Sequence, residues 1–175
     1  MLTQIDPTSE APPIAGSHLD PVPSWLIENI ETSTICTFNK MLGETVCISP
    51  DDPGSEVHYD GVIGIISFVG DFTWSMVLGL PHPAAEPIAK KFAGFDIPFD
   101  SPDMGDVVGE LVNVLAGVVC GEMEKNDLKM QMSLPTIARG ADFQMSLPDN
   151  LIAHRLYFST EKNGFWIKMI VAKQK

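Results

Sequence analysis

Residues 101–124, SPDMGDVVGELVNVLAGVVCGEME, constrain this chain more than any other stretch. Ser101 stands at an N-cap position, Pro102 at the first helical position and Asp103 in the first turn, which together mark a helix start. Asp103 and Asp106 lie where the positive end of the helix dipole favours negative charge. Met104, Val108, Leu111, Leu115 and Val119 recur at spacings of three and four and share one face. Val107, Val112, Val114 and Val118 widen that face, and a helix this apolar is largely buried. At about 100° per residue, Asp106, Glu110, Asn113 and Gly117 fall within an arc of roughly 60° opposite Leu111 and Leu115. One narrow polar ridge therefore runs along an otherwise apolar helix. Gly105, Gly109, Gly117 and Gly121 flank or extend it, each costing about 1 kcal/mol relative to Ala. Asn113 is a poor mid-helix residue, and an amide one turn from a carboxylate suits the holding of a water and a cation. Spacing alone leaves a second reading open, in which the ridge is a solvated face and the glycines let another helix pack closely.

The chain has 175 residues, enough for one domain with a sizeable core. Its formal net charge of -12 opposes binding to nucleic acid and to anionic membranes. No apolar run approaches the ~20 residues a bilayer crossing needs, and no signal peptide is expected at the N-terminus. Cys36, Cys47 and Cys120 form no CxxC pair, which predicts three reduced, mostly buried thiols in a cytoplasmic protein. His18, His58, His82 and His154 are scattered, so no metal site is expected, and GxSxG, Walker A and GxGxxG patterns do not occur.

In chain order, residues 1–23 carry five prolines among Ser, Gly and Asp and are expected to form a loose or disordered arm. A single domain is expected over residues 24–175. Ser24 is expected to cap a helix to about Leu42, with Gly43 ending it. Leu26, Ile30, Ser33, Thr37 and Met41 trace one side of that helix. Val46–Ile48 predicts a short strand, and Val57–Val69 and Phe72–Leu80 a hairpin around Gly70-Asp71. A helix is expected from about Ala84 to Phe92, with Pro87 in its first turn and Gly94 after it. Beyond the long helix, Leu128–Leu134 reads as strand and the segment through Arg139-Gly140 as loop. Leu151–Thr160 and Phe165–Val171 read as a hairpin around Glu161–Gly164. The pentapeptide QMSLP occurs at 131–135 and again at 144–148, as two similar strand ends would produce. The expected fold is an α/β two-layer domain (α+β), with a largely antiparallel sheet and helices on one face.

Gly109-Glu110-Leu111-Val112-Asn113, then Ala116-Gly117 and Leu134-Pro135-Thr136, resemble the CheX branch of the CheC/CheX/FliY phosphatases. Those proteins carry Asp or Ser, three residues, Glu, two residues, Asn, and a proline one strand later. Asp106, Glu110, Asn113 and Pro135 match in that order, and the resemblance spans about residues 24–172. Two departures stand out. The family commonly has Gly where this chain has Val112, a side chain that either crowds a docking partner or enters the core. The motif's Asn is missing from the first helix, which offers Ser24, Glu28 and Glu31, and the helix after Pro83 has Glu86 but Ala89. One site per chain is therefore expected.

The resemblance implies a CheC/CheX-like fold and a phosphatase acting on the aspartyl phosphate of a CheY-like receiver. It implies that Asn113 positions the attacking water, that Glu110 pairs with a receiver lysine, and that Asp106 supports the helix start or docking face. Any Mg²⁺ would belong to the partner receiver, and no cofactor is implied for this chain. The alternatives are a non-catalytic receiver-binding module, which Val112 favours, and a structural homodimer whose ridge is ordinary surface. Pairing through sheet edges in the family makes Phe165–Val171 a candidate homodimer interface.

Overall fold

The computed structural model describes residues 22–50 and 59–173. The expected N-terminal arm, up to residue 21, and the predicted strand start at Val57 lie outside them. Ten elements follow in order: α1 (Ser24–Leu42), β1 (Cys47–Ser49), β2 (Tyr59–Gly70), β3 (Trp74–Pro81), α2 (His82–Ala93), α3 (Pro102–Glu124), β4 (Met130–Met132), β5 (Thr136–Phe143), β6 (Leu151–Ser159) and β7 (Gly164–Ala172). The strands form one sheet in the order β1-β6-β7-β3-β2, and β4 and β5 both pair with the far side of β2. Every pairing is antiparallel, and the helices cover one face.

The main core lies between the helices and that face. Leu26, Ile30 and Phe38 of α1 meet Ile66, Phe68, Leu78, Phe165 and Ile167 from the strands, all at most 1% exposed. The Phe38 and Phe165 rings stack with centroids 4.4 Å apart. α3 contributes Met104, Val108, Leu111, Val112, Leu115, Ala116, Val119 and Met123. The opposite face carries a smaller cluster of Ile63, Val77 and Trp166, with Met145 packed against it. Trp166 lies directly over Gly79: a Cβ there would come within 2.1 Å of the indole ring.

Helix punctuation follows local chemistry. Ser101 caps α3, its hydroxyl accepting from the Asp103 N–H at 3.2 Å. Gly43 and Gly94 end α1 and α2 in the left-handed conformation, at φ 63° and 85°. Ser24 does not cap α1: Pro23 precedes the helix, and its carbonyl accepts from the N–H groups of Leu26 and Ile27. Met41 turns outward at 39% exposure, while Ser33, Thr34 and Thr37 are buried. Pro87 sits inside α2 rather than in its first turn, because the helix begins at His82. Its missing N–H leaves the Pro83 carbonyl without a helical donor. The Asn163 amide, oriented with nitrogen towards that carbonyl, donates to it at 3.1 Å and ties the β6–β7 turn to α2.

Several other expectations are corrected. Residues 136–143 are a strand, not a loop; β5 is a polar edge strand that gains its order from pairing with β2. The expected strand over Leu128–Leu134 shortens to β4. β7 lies between β6 and β3, so Phe165–Val171 offers no free edge for pairing a second copy. All three cysteines are free as expected, but none is buried: Cys47 is exposed, and Cys36 and Cys120 are half-buried. α3 is also long and apolar enough to cross a membrane, with a mean hydropathy of 1.5 over its best 18-residue window. The expectation that no segment reached that length fails because the ridge interrupts α3 with few charges. In the fold its apolar side packs on the sheet.

Three contacts fix where α3 begins. The Phe99 N–H donates to Glu86 of α2 at 2.7 Å. The His82 and Phe99 rings stack with centroids 3.8 Å apart. Arg139 of β5 donates to the carbonyls of Phe99 and Ser101, both at 2.5 Å, and of Asp100 at 3.1 Å.

Arg139→Ala is expected to lower stability by about 1.5–3 kcal/mol, the range for hydrogen bonds to a charged group, and to speed amide exchange in the first turn of α3. Denaturant titration and hydrogen exchange read the two effects. Gly79→Ala should cost about 1–3 kcal/mol by overpacking against Trp166. Gly109→Ala has only ordinary contacts, 3.7 Å to Ile137, and should raise stability by up to about 1 kcal/mol through helix propensity.

Candidate functional site

The polar ridge of α3 stands clear of the core. Asp106, Glu110 and Gly117 are exposed and Asn113 is half-buried, while Leu111 and Leu115 on the opposite side are buried. Among the described residues, no hydrogen bond or ion pair engages the side chains of Asp106, Glu110 or Asn113. Glu110 and Asn113 are three residues apart, so their Cβ atoms are neighbours roughly 5–6 Å apart on the helix surface. The carboxylate can accept from a cationic donor, and the amide can both donate and accept.

The flanks of the ridge differ. On one side, residues 130–137 run back along α3. A Cβ on Gly109 would lie 3.7 Å from Ile137 and 3.9 Å from Cγ of Pro135, and one on Gly105 would lie 3.9 Å from Ile137. The space over these two glycines is bordered by the chain's own Pro135 and Ile137, at ordinary contact distance from a Cβ. Gly117 and Gly121 have open space where a Cβ would go. Only at the latter two is there open space for another chain to approach the backbone closely.

Val112 is fully buried. Its Cγ2 would lie 3.1 Å from a Cβ on Gly64 of β2, so the valine fills the space that a strand glycine leaves. It does not reach the ridge. The alternative in which Val112 obstructs a docking partner loses its basis.

Cys120, further along α3, is half-buried; burial pushes its thiol up, and the Glu124 carboxylate adds to the shift. A thiol held protonated is a poor nucleophile. Glu86, the second motif's only carboxylate on α2, is engaged by the Phe99 N–H. On α1, Glu28 is exposed and Glu31 half-buried, with no Asn in register. Among the described residues, no group of three or more His, Cys, Asp or Glu is placed to hold a metal ion.

Two features of the site escaped the sequence reading. One is the Arg139 clamp on the start of α3, which no local pattern signals because β5 owes its order to its pairing with β2. The other is the local geometry of Ser133–Pro135, between β4 and β5, which leaves Leu134 88% exposed. Its only sequence signal is the proline, which cannot donate to a strand ladder.

The fold is that of known chemotaxis proteins. A CheX from Vibrio vulnificus is 17% identical with a TM-score of 0.73, covering 83% of this chain and 98% of its own. A CheX from Desulfovibrio desulfuricans is 19% identical with a TM-score of 0.70, covering 83% and 97%. A chain of the CheX–CheY–BeF3–Mg²⁺ complex from Borrelia burgdorferi is 17% identical with a TM-score of 0.68, covering 90% and 100%. No curated protein matches in sequence. The sequence profile of the chemotaxis phosphatase CheX matches residues 62–159, more than half of the chain, a span that runs from β2 through α3 and its ridge to the end of β6. This chain belongs to the CheX family.

Proposed function

We propose that this protein hydrolyses the aspartyl phosphate of a phosphorylated CheY-like receiver, using Glu110 and Asn113 of α3. The observation that carries this reading is the pair itself: an exposed carboxylate and a half-buried amide, adjacent and without a hydrogen bond or ion pair among the described residues, on the motif helix of a CheX-family fold. The complex of a structurally similar CheX with CheY, BeF3 and Mg²⁺ supports the choice of partner.

An aspartyl phosphate is an acyl phosphate, so its carboxylate is already a good leaving group. What hydrolysis needs is a water placed in line with the breaking P–O bond and an environment that tolerates the phosphoryl charge. The Asn113 amide positions that water. It takes no proton, since a neutral amide is no base at this pH. The water oxygen bonds to phosphorus, the P–O bond to the receiver aspartate breaks, the aspartate leaves as carboxylate, and inorganic phosphate carries away both of the water's protons. Glu110 accepts from the receiver's lysine and sets the register of the two proteins. Mg²⁺ is supplied by the receiver's own acidic pocket. Asp106, one turn earlier, supports the helix start electrostatically or borders the docking face. Such a partner places the activity in the cytoplasm.

Asn113 is half-buried, and its side chain makes no hydrogen bond among the described residues. Asn113→Ala is therefore expected to leave the unfolding free energy within about 0.5 kcal/mol of wild type. Phosphate release from acetyl-phosphate-charged receivers should fall to their intrinsic rate. Full retained activity against every cognate receiver would refute the assignment. Glu110→Ala should weaken complex formation as well as turnover, by about 10-fold or more in kcat/KM, as expected for a lost charge-assisted contact. Complex formation without any faster decay in wild type would instead mark a receiver-binding module.

A further inference from the structure

We propose that Leu134 is an apolar anchor for the docked receiver and helps to set which receivers are accepted. The inference rests on the phosphatase reading above. β4 and β5 run along the same side of β2 but are not continuous. Met132 pairs with Phe68 and Thr136 with Ile65, so three residues, Ser133–Pro135, face two of β2. That extra residue is a β-bulge, a device that re-aims side chains. The bulge is pinned. The Ser133 N–H donates to the Ser67 carbonyl at 2.8 Å. The Ser67 N–H donates to Ser133 Oγ at 3.0 Å, and that hydroxyl donates to the Leu134 carbonyl at 2.9 Å. Pro135 rests on α3 at Gly109, the residue before Glu110.

Leu134 is thus the most exposed large apolar side chain among the described residues, and it is held on a fixed backbone. Met132, 40% exposed, pairs with core-facing Phe68 and so lies on the helix-covered side of the sheet. Leu134 precedes Pro135, which meets α3 at Gly109, one residue from Glu110. A protein that seats its phosphorylation pocket on the ridge must also cover this flank. The occupant is therefore the receiver, presenting apolar surface beside its phosphorylated aspartate. Burying one leucine side chain is worth about 10- to 100-fold in affinity.

The test compares Leu134→Ser, Leu134→Met and Asn113→Ala with wild type, with steady-state dephosphorylation of each cognate receiver and titration of receiver loaded with Mg²⁺ and beryllium fluoride. The expected result is a KM and Kd raised about 10- to 100-fold in Leu134→Ser with kcat kept, recovery in Leu134→Met, and lost kcat in Asn113→Ala. An unchanged KM in Leu134→Ser beside a dead Asn113→Ala overturns the anchor and leaves the phosphatase standing. Wild type that neither binds nor dephosphorylates any receiver overturns both. Loss of self-association in Leu134→Ser with unchanged KM assigns the leucine to a second copy of this chain and overturns the proposal. Because the side chain is exposed, unaltered thermal unfolding serves as the folding control.

Discussion

The packing of one broad apolar helix against one face of a sheet governs this structure. α3 lays one face on the core, from Met104 to Met123, while Val107, Val114 and Val118, expected to widen that face, are only half-buried at its border. Its polar residues are left a single narrow direction, away from the strands. The orientation is locked at the closest point, where Val112 sits over Gly64 of β2. Rolling the helix would drive that valine into the strand backbone or open a void beneath it. It would also bring Glu110 or Asn113 towards the core, where an unpaired polar group is costly. The same packing that holds the fold together therefore aims the carboxylate and the amide outward.

The start of α3 is held as firmly as its middle. α2 supplies Glu86 and His82, and β5 supplies Arg139, all converging on Phe99–Ser101 just before the first turn. These contacts fix the height of the ridge, and Val112 fixes its rotation. A site that works by insertion into another protein needs both, since small errors in position weaken positioning catalysis steeply. The site contains no strong base and no activated nucleophile, consistent with chemistry in which the partner carries the reactive bond and the cation. The Cys120 thiol on the same helix is kept protonated by burial and by Glu124, so it offers no competing route.

Much of this was legible in the residues because it depends on local rules. The cap at Ser101, the left-handed glycines at 43 and 94, the β2–β3 and β6–β7 hairpins and the ridge all follow from spacing and turn chemistry. β5 was not legible. It carries Arg139, Gly140 and Asp142 on an edge strand with one neighbour, and its order comes from a pairing partner some seventy residues earlier. Reading it as loop concealed both the Arg139 clamp and the bulge at Leu134. The central place of β7 was hidden for a related reason. Strand order is a property of long-range pairing, and a β-branched run looks alike at the edge and in the middle. Val112 pointed inward on the helical wheel, but its complement, Gly64, lies on a different element and emerges only when the two are brought together.

The central claim is that a phosphorylated receiver meets this protein at the ridge of α3. Titrating isotope-labelled protein with a cognate receiver loaded with Mg²⁺ and beryllium fluoride tests it most directly, with the side-chain amide signal of Asn113 as the probe. The account predicts that this signal and the backbone signals of Asp106–Gly117 shift or broaden first, saturating with the complex. A complex that perturbs the opposite sheet face around Trp166 while leaving Asn113 unmoved would contradict it.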